Sequence, residues 1–363
     1  MKRQPVLTVA TECVERGWIP DSIIRWGIRR LCSQRLTEQA AAVQEGGLAT
    51  SLERFINQLR DTDIAPVAFK ANEQHYEVPA EFFKIMLGPH LKYSACWWNN
   101  DAEALETAEG NALRLSASQA MVSDGMNILE LGCGWGSLTL WLARQYPHSH
   151  ITALSNSVSQ RTFIEDRAQE YGLSNITVIT ADMNTFSTQK RFDRIISIEM
   201  FEHMRNYHML LSNIRKWLTP NGQLYVHVFC HKKFVYPFET EGADNWLGRH
   251  FFSGGLMPSA DLLTLIPSPF EVKKCWMWSG IHYQRTAEAW LKNLDDKRAE
   301  VYQIFARTYG PASAKRWLQR WRVFLMACAE LFGYNDGTEW MVAHYRFSQK
   351  DNYVNESSLG ASH

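Results

Sequence analysis

Residues 128–137 read Ile-Leu-Glu-Leu-Gly-Cys-Gly-Trp-Gly-Ser, and this stretch decides the fold. A mostly apolar run over residues 127–131 ends in three alternating glycines, and a helical pattern begins at once with Leu138. The pattern predicts a buried strand, a tight turn and a helix start, which is how α/β folds present bare backbone to a nucleotide. Glycine suits such a turn because its backbone accepts positive φ and lets a ligand approach more closely than a Cβ permits.

The spacing of the glycines separates this turn from phosphate-binding loops. Those loops carry G-x-x-x-x-G-K-[ST] or G-x-G-x-x-G, whereas here Glu130 stands two residues before the first glycine. The sequence Glu130-Leu-Gly-Cys-Gly-Trp-Gly resembles the first motif of S-adenosylmethionine-dependent methyltransferases, in which the turn lies beside the amino-acid part of the cofactor. On this motif alone, a structural turn or a turn for another nucleotide remains an alternative.

Composition narrows the class of protein. The 363 residues suffice for one large domain or two smaller ones. The 38 basic and 38 acidic residues balance, so no strong field attracts nucleic acid or an anionic membrane. Seven cysteines without paired spacing favour free thiols in a reducing compartment. No apolar run approaches about 18 residues and the N-terminus does not read as a signal sequence, so we expect a cytoplasmic enzyme with no integral membrane segment.

The N-terminal third of the chain reads as helical. The apolar spacing of residues 1–118 predicts a helical cap, with one helical pattern over residues 52–59. A stripe of isoleucine and leucine recurs at helical spacing over residues 23–31, beside three arginines. One interpretation is a basic amphipathic helix that touches lipid. The shortness of the stripe favours the other, a cap helix with a solvated basic face.

From residue 127 the pattern alternates between strands and helices, as a wound α/β domain should. The predicted strands span residues 127–131, 150–154, 176–179, 192–198, 223–228, 271–278 and 339–347. Helical patterns over residues 287–309 and 311–332 precede the last strand. We therefore expect a catalytic domain over residues 119–349 with a helical insertion at 287–332, followed by a frayed tail at 350–363.

Polar side chains follow the second and third predicted strands. Many nucleotide sites place an acid after the second strand, but here the polar residues are Asn156 and Gln160. The amide of each can donate and accept hydrogen bonds to a ligand. An ordinary amide-rich turn would have the same sequence. After the third strand, Asp182 can accept the amine of adenine and Met183 can pack on its ring. The expected order of these elements predicts an S-adenosyl-L-methionine site, comprising Gly132, Gly134, Asn156, Gln160, Asp182, Met183 and Ile198, with Tyr93 and Ser94 from the cap.

The segment after the fourth strand makes the resemblance specific. It reads Ser197-Ile-Glu-Met-Phe-Glu-His-Met-Arg-Asn-Tyr207. Further matches are Lys70-Ala-Asn-Glu-Gln-His-Tyr-Glu-Val-Pro79, Leu91-Lys-Tyr-Ser94, Phe251-Phe-Ser-Gly-Gly-Leu-Met-Pro258, Ile281-His-Tyr283 and Glu330-Leu-Phe-Gly-Tyr-Asn335. Together they resemble the coclaurine N-methyltransferase family, within the larger cyclopropane-fatty-acid-synthase-like group. The resemblance implies a class I, Rossmann-like methyltransferase with a seven-stranded sheet, a helical cap and an amine substrate.

Two chemistries occur in that larger group. Cyclopropane and mycolic-acid synthases methylate a double bond, and a bound bicarbonate takes a proton from the resulting carbocation. At the positions that match residues 93–96 they usually read Tyr-Ser-Cys-Ala, whereas this chain has Ala95 at the place of the cysteine and its own cysteine one place later. They also usually have glycine where this chain has Glu199. The matches to the bicarbonate site that persist are Glu202, His227 and Tyr283. An acidic pair nevertheless fits an amine better than an acyl chain, because a buried unpaired carboxylate is costly beside lipid.

The proposed chemistry centres on Glu199, Glu202 and His203. A sulfonium methyl is already electrophilic, so the enzyme must chiefly align the reactants and keep the lone pair of the amine free. We predict His203 as the base, assisted by Glu202 and Glu199, with Glu77 as a fourth polar contributor from the cap. If the segment is helical, the i, i+3, i+4 spacing puts the first three on one face. An exposed polar face and a helix cap are the alternatives.

A metal is not expected. The carboxylate–histidine spacing after the fourth strand lacks an indicated third or fourth ligand from elsewhere. A second cluster, His227, Cys230 and His231, falls on a strand end where the side chains do not all converge, and we interpret it as pocket lining.

Three functions compete. The first is S-adenosylmethionine-dependent N-methylation of a small amine, aromatic or alkaloid-like. A homodimer is compatible with this function. The second is cyclopropane-type methylation of an unsaturated acyl lipid. The third is cofactor binding without catalysis, against which the intact polar residues after the fourth strand argue. No nucleic-acid partner is expected, since the charge is balanced.

Overall fold

Helices precede the sheet in the part of the chain that the computed structural model describes, residues 3–44, 47–66, 78–242 and 245–351. They are α1 (Arg3–Glu15), α2 (Asp21–Gln44), α3 (Gly47–Arg60), α4 (Ala80–Met86) and α5 (Leu105–Gln119). The helical character predicted for this segment is confirmed, and the helix predicted at residues 52–59 is α3. The domain boundary at residue 118 stays a prediction, and residues 352–363 of the predicted tail lie outside the described ranges.

A seven-stranded mixed sheet forms the centre of the molecule. The elements from residue 127 onwards begin with β1 (Asn127–Leu131), α6 (Ser137–Gln145), β2 (His150–Ser155), α7 (Val158–Glu170), β3 (Ile176–Thr180) and β4 (Phe192–Ile198). They continue with α8 (Tyr207–Trp217), β5 (Leu218–His231), β6 (Tyr236–Pro237), α9 (Trp246–His250), β7 (Leu256–Met257), α10 (Leu262–Leu265), β8 (Phe270–Trp278), α11 (Gly280–Asp296), α12 (Arg298–Tyr309), α13 (Pro311–Phe332) and β9 (Trp340–Gln349). Strands β6 and β7 form a separate small pair.

The strand order is β3-β2-β1-β4-β5-β9-β8. Strands β1 to β5 pair in parallel, and β9 runs antiparallel to both of its neighbours. The parallel strands are apolar and largely buried, as expected for a sheet covered by helices on both faces. The predicted α/β architecture with an antiparallel last strand is confirmed. Within the described ranges, no helix combines the length and apolarity that a bilayer crossing requires.

The insertion between β8 and β9 begins earlier than predicted and is more divided. The sequence predicts one helix over residues 287–309, but α11 starts at Gly280 and the helix breaks at Lys297, whose φ is −113°. Ser279 starts α11 because its hydroxyl accepts the N–H of Ile281 at 3.3 Å. A Cβ at Gly280 would collide with the carbonyl oxygens of Phe332 and Trp340, so glycine lets the helix pack directly against its neighbours.

Residues 23–31 lie on α2, where the cap-helix interpretation stays a prediction, with one correction. Ile24 is buried, while Ile23 and Trp26 are exposed. The basic face is not simply solvated, because the guanidinium of Arg25 donates to both carboxylate oxygens of Glu288, at 2.5 and 2.8 Å, on α11. Helix α2 is therefore fastened to the insertion.

A second ion-pair cluster joins the same elements. Arg322 on α13 donates from Nε to Asp295 at 2.6 Å and from Nη2 to Asp21 at 2.6 Å, so one guanidinium ties the start of α2 to the end of α11. Its side chain is only 10% exposed. The two carboxylates that it joins keep partial access to water, with side chains 43% and 35% exposed.

We expect Arg322→Ala to lower the free energy of unfolding by about 1.5–3 kcal/mol, because it removes the hydrogen bonds of a nearly buried guanidinium to two carboxylates. Urea unfolding followed by circular dichroism measures the change. Arg161→Ala is the matched control, since Arg161 pairs with Glu165 on the surface with both side chains nearly half exposed, and such pairs contribute about 0–1 kcal/mol. Equal losses in the two variants would contradict the proposed fastening of α2.

Candidate active site

The glycine turn after β1 is left-handed at three positions. Gly132, Gly134 and Gly136 have φ of 77°, 52° and 80°. A Cβ at Gly132 would lie 2.7 Å from Met200 and one at Gly136 would lie 2.6 Å from Ile164, so packing inside the protein excludes side chains there. A Cβ at Gly134 would have no heavy atom within 4 Å. The backbone at Gly134 therefore borders open space, which fits a ligand that approaches the turn closely.

The acid of the glycine motif is buried within the protein. Glu130 accepts a hydrogen bond from the hydroxyl of Thr139 on α6. Burial raises the pKa of Glu130 to about 7. Its contact ties β1 to the helix that follows the turn, which makes it a support for the turn.

The predicted cofactor residues lie at the carboxyl ends of neighbouring strands. Asn156 follows β2, Asp182 and Met183 follow β3, and Ile198 ends β4. Asp182 is exposed, so its carboxylate is accessible to a ligand. Gln160 is buried instead, and its Oε1 accepts the hydroxyl of Ser155 at 2.6 Å. Its Nε2 is buried without a hydrogen-bond partner in the described part of the chain, so both of its N–H groups are left for a ligand.

A loop between α4 and α5 brings Tyr93 and Ser94 towards the glycine turn. The ring centroid of Tyr93 lies 5.2 Å from that of Phe83, which in turn lies 5.1 Å from Trp135 in the turn. Ser94 is buried, and its Oγ lies 2.5 Å from Nζ of Lys92. The cap therefore contributes side chains next to the sheet edge that carries the other predicted cofactor residues. These residues offer the hydrogen-bonding groups and close backbone approach that S-adenosyl-L-methionine requires.

Glu199 is held by three elements at the end of β4. Its Oε1 accepts the N–H of Ala95 at 2.9 Å and lies 3.1 Å from Nε2 of His227. Its Oε2 accepts the hydroxyl of Tyr283 on α11 at 2.7 Å. Its backbone φ is 48°, a left-handed conformation that costs a non-glycine residue about 1–2 kcal/mol. The contacts of the carboxylate offset that strain and oppose the burial that raises the pKa of Glu199.

The expectation that Glu199, Glu202 and His203 share one face of a helix does not hold. A 3₁₀ turn covers only Phe201–His203, and Glu199 precedes it in the left-handed conformation. A sequence pattern cannot show this backbone reversal, because the i, i+3, i+4 spacing is the same with or without it.

Glu202 is fully buried beside Glu199. Its Oε1 accepts the N–H of Phe229 at 2.8 Å, and its Oε2 has no hydrogen-bond partner among the described residues. Burial and the neighbouring carboxylate of Glu199 raise the pKa of Glu202 well above its usual value. Both effects favour the protonated form of the Glu202 carboxyl group.

Aromatic rings connect His203 to Glu199. The imidazole of His203 stacks on Phe252 with ring centroids 4.8 Å apart, and Phe252 lies 5.5 Å from Phe229. Phe229 lies 6.0 Å from Phe332, which stacks at 4.2 Å on Tyr283, the residue that donates to Glu199. Glu199 and His203, at the two ends of the segment that follows β4, are thus joined by one aromatic wall. Glu77 lies outside the described residues.

The cluster at the end of β5 diverges. The imidazole of His227 contacts Glu199, and burial keeps the pKa of His227 well below its usual value, so the ring is neutral. His231 accepts the backbone N–H groups of Lys233 and Phe234 at 2.9 and 2.8 Å through Nδ1 and belongs to a different contact. Among the residues described here, no group of three or more side chains could hold a metal ion.

Sequence reasoning missed two partners of Glu199 in the site. The N–H of Ala95 is a main-chain donor and has no sequence signal. Lys92 lies in the family match Leu91-Lys-Tyr-Ser94, but nothing in the sequence shows that its side chain is only 1% exposed and that its charge acts on Glu199. His227 and Tyr283 could be found, because the resemblance marks both.

Comparison with known proteins agrees with this geometry. Residues 65–339 match the family model described as mycolic acid cyclopropane synthetase. The chain is 37% identical over 352 residues to (S)-coclaurine N-methyltransferase of Thalictrum flavum subsp. glaucum, covering 96% of this chain and 97% of the relative. It is 36% identical over 340 residues to the (S)-coclaurine N-methyltransferase of Papaver somniferum, covering 93% and 97%.

A solved structure extends the likeness to three dimensions. The crystal structure of a coclaurine N-methyltransferase bound to N-methylheliamine and SAH superposes with a TM-score of 0.90 at 36% identity, covering 93% of this chain and 98% of that one. Because sequence, length and fold agree, this chain belongs to the mycolic acid cyclopropane synthetase family and, within it, to the coclaurine N-methyltransferase-like enzymes that use S-adenosyl-L-methionine.

Proposed function

We propose that this enzyme transfers the methyl group of S-adenosyl-L-methionine to the nitrogen of a small amine that carries an aromatic ring. The observation that carries the proposal is a pair of acidic side chains beside an aromatic wall, Glu202, which is fully buried, and Glu199, whose side chain is 8% exposed. Buried carboxyl groups are stable beside a cation and costly beside an acyl chain. The alkaloid N-methyltransferase names of the relatives support the same substrate class.

We propose Gly132, Gly134, Asn156, Gln160, Asp182, Met183 and Ile198, with Tyr93 and Ser94 from the cap, as the residues that hold S-adenosyl-L-methionine. Bound there, the cofactor supplies an electrophilic methyl group. Glu202 lies near enough to Glu199 to have its pKa raised, so an arriving ammonium group would favour its ionised form. His203 then takes the proton of the ammonium group, which frees the nitrogen lone pair. Glu77 is proposed to orient the amine.

The contacts of Glu199 count against cyclopropane-type chemistry. His227 and Tyr283, which the resemblance associates with bicarbonate, both contact the carboxylate of Glu199. The side chain of Glu199 thus takes up donors that a free anion would need. We also propose a cytoplasmic location, supported by seven free cysteines; a homodimer stays a prediction.

A substrate panel tests the proposed function. Purified enzyme is incubated with methyl-labelled S-adenosylmethionine and, separately, with secondary amines that carry an aromatic ring, with aliphatic secondary amines and with unsaturated phospholipid vesicles. We expect label in the aromatic amines, with a kcat/KM about 10-fold or more above that of aliphatic amines, since one buried ring contributes on the order of 1.5 kcal/mol or more. Label in the phospholipid fraction alone would overturn the proposal.

Paired variants test the cofactor site. Asp182→Ala should weaken the binding of S-adenosylmethionine by about 1–3 kcal/mol through loss of the adenine contact. Gly134→Ala should weaken binding while costing the fold only about 1–2 kcal/mol of backbone strain, because its Cβ meets no protein atom. Gly136→Ala is the control that should mainly unfold the protein. Calorimetric titration and urea unfolding measure both quantities; unchanged affinity in Asp182→Ala and Gly134→Ala would refute the site.

His203→Ala tests the base. We expect kcat to fall by about 10²–10⁴-fold, the usual contribution of a positioned base, with cofactor affinity nearly unchanged. The loss should shrink as the pH rises, because solvent then deprotonates the amine unaided. Glu202→Gln should also slow turnover, since an amide cannot become the counter-charge of the bound ammonium. Activity at the wild-type level in His203→Ala across roughly pH 6–9, where histidine changes charge, would leave alignment as the source of catalysis.

A further inference from the structure

Lys92 is a buried cation that the proposed chemistry does not use. Its side chain is 1% exposed. Its Nζ lies 2.5 Å from Oγ of Ser94 and donates to the carbonyl oxygen of Ala95 at 2.7 Å. A buried ammonium group is costly unless hydrogen bonds and an opposite charge compensate it. Two neutral oxygens alone do not supply that charge.

The charges of two acidic side chains, Glu109 and Glu199, act on this lysine. Glu109 on α5 accepts the backbone N–H of Lys92 at 3.2 Å and those of Gly88 and His90 at 3.0 and 2.9 Å, which fixes the start of the loop. Glu199 lies at the other end of the loop and accepts the N–H of Ala95. Ala95 therefore connects Lys92 to Glu199, because its carbonyl oxygen accepts from the ammonium group of Lys92 and its N–H donates to the carboxylate of Glu199.

We propose that Lys92 is a positioning residue for methyl transfer, whose ammonium group holds the 93–96 loop and the carboxylate of Glu199 in a single arrangement. The inference rests on the proposed function for the role of Glu199. In this arrangement the hydroxyl of Ser94 accepts a hydrogen bond from Lys92, so its own proton remains available to donate to a ligand.

The charges around Glu199 support this role. The groups that face it are Lys92, Glu202, His227 and Tyr283, with the thiols of Cys96 and Cys328. Burial keeps His227 neutral and raises the pKa of both thiols, so the ammonium form of Lys92 is the positive charge available to this set. Burial lowers the pKa of Lys92, and Cys96, Glu199 and Glu109 oppose that decrease. Burial raises the pKa of Glu199, and the charge of Lys92 opposes that increase. Removing Lys92 should therefore let Glu199 take up a proton at a higher pH.

Lys92→Met tests the proposal in the full-length enzyme, because methionine keeps most of the volume and removes the charge. We expect kcat/KM for the amine at pH 7 to fall about 10-fold, and the acidic limb of its pH profile to move up by about one unit or more, the usual effect of losing a nearby opposite charge. At high pH the variant should recover towards wild type. Lys292→Met is the control, since Lys292 is 73% exposed on α11.

Other outcomes have distinct meanings. If Lys92 has a purely structural role, Lys92→Met should lower kcat/KM by the same factor at every pH, so that the acidic limb of the pH profile does not move, and should weaken cofactor binding. That result would overturn the proposed role of its charge. An unchanged profile with unchanged cofactor affinity would overturn the proposal entirely.

Unfolding experiments keep the proposal testable if the amine chemistry is misassigned or Lys92→Met is inactive. We compare the urea midpoints of wild type, Lys92→Met, Glu199→Gln and the double variant at pH 5.5 and pH 8. Lys92→Met should lower the midpoint more at pH 8, where Glu199 is left as a lone buried charge, than at pH 5.5, where it can be protonated. The double variant should be more stable than the sum of the single losses predicts. Additive losses that do not depend on pH would refute the coupling of Lys92 to Glu199.

Discussion

The placement of two carboxyl groups out of water, Glu199 and Glu202, is the constraint on which the rest of the structure depends. A buried ionised group is tolerated only where donors or an opposite charge surround it. Glu199 obtains them from the loop before α5, from β5 and from α11. Three segments far apart in sequence must therefore be in place together before this side chain is stable. The loop before α5 and the insertion thus both contribute contacts to the candidate site.

Periodicity predicted the sheet because the parallel strands are buried and nearly continuous in apolar character. Strand β4 occupies the predicted residues, 192–198. Strand β5 extends to His231, beyond its predicted end at residue 228, because pairing with β9 continues there and an antiparallel partner, rather than the apolar run, determines where the strand stops. The start of α11 was missed because it depends on the close packing of Gly280 against distant carbonyl groups, which no local pattern records.

The candidate site was predictable in its residue types and not in its geometry. Motifs at strand ends marked Glu199, Glu202 and His203, since chemistry in α/β folds gathers at the carboxyl ends of strands. The left-handed backbone at Glu199 was invisible to spacing, and so were the main-chain donors that hold each carboxyl group.

Glu202 Oε2 has no hydrogen-bond partner among the described residues, and this has a thermodynamic consequence. In the free enzyme, burial and Glu199 disfavour a second negative charge and so favour the protonated form of this carboxyl group. An ammonium ligand that settles beside it reverses the preference, and the displaced proton passes to bulk water. Association and acid–base equilibria are then linked, so the apparent affinity rises with pH and the heat of association depends on the ionisation enthalpy of the surrounding buffer. The enzyme in this way exchanges one positive charge for another at constant net charge in its interior.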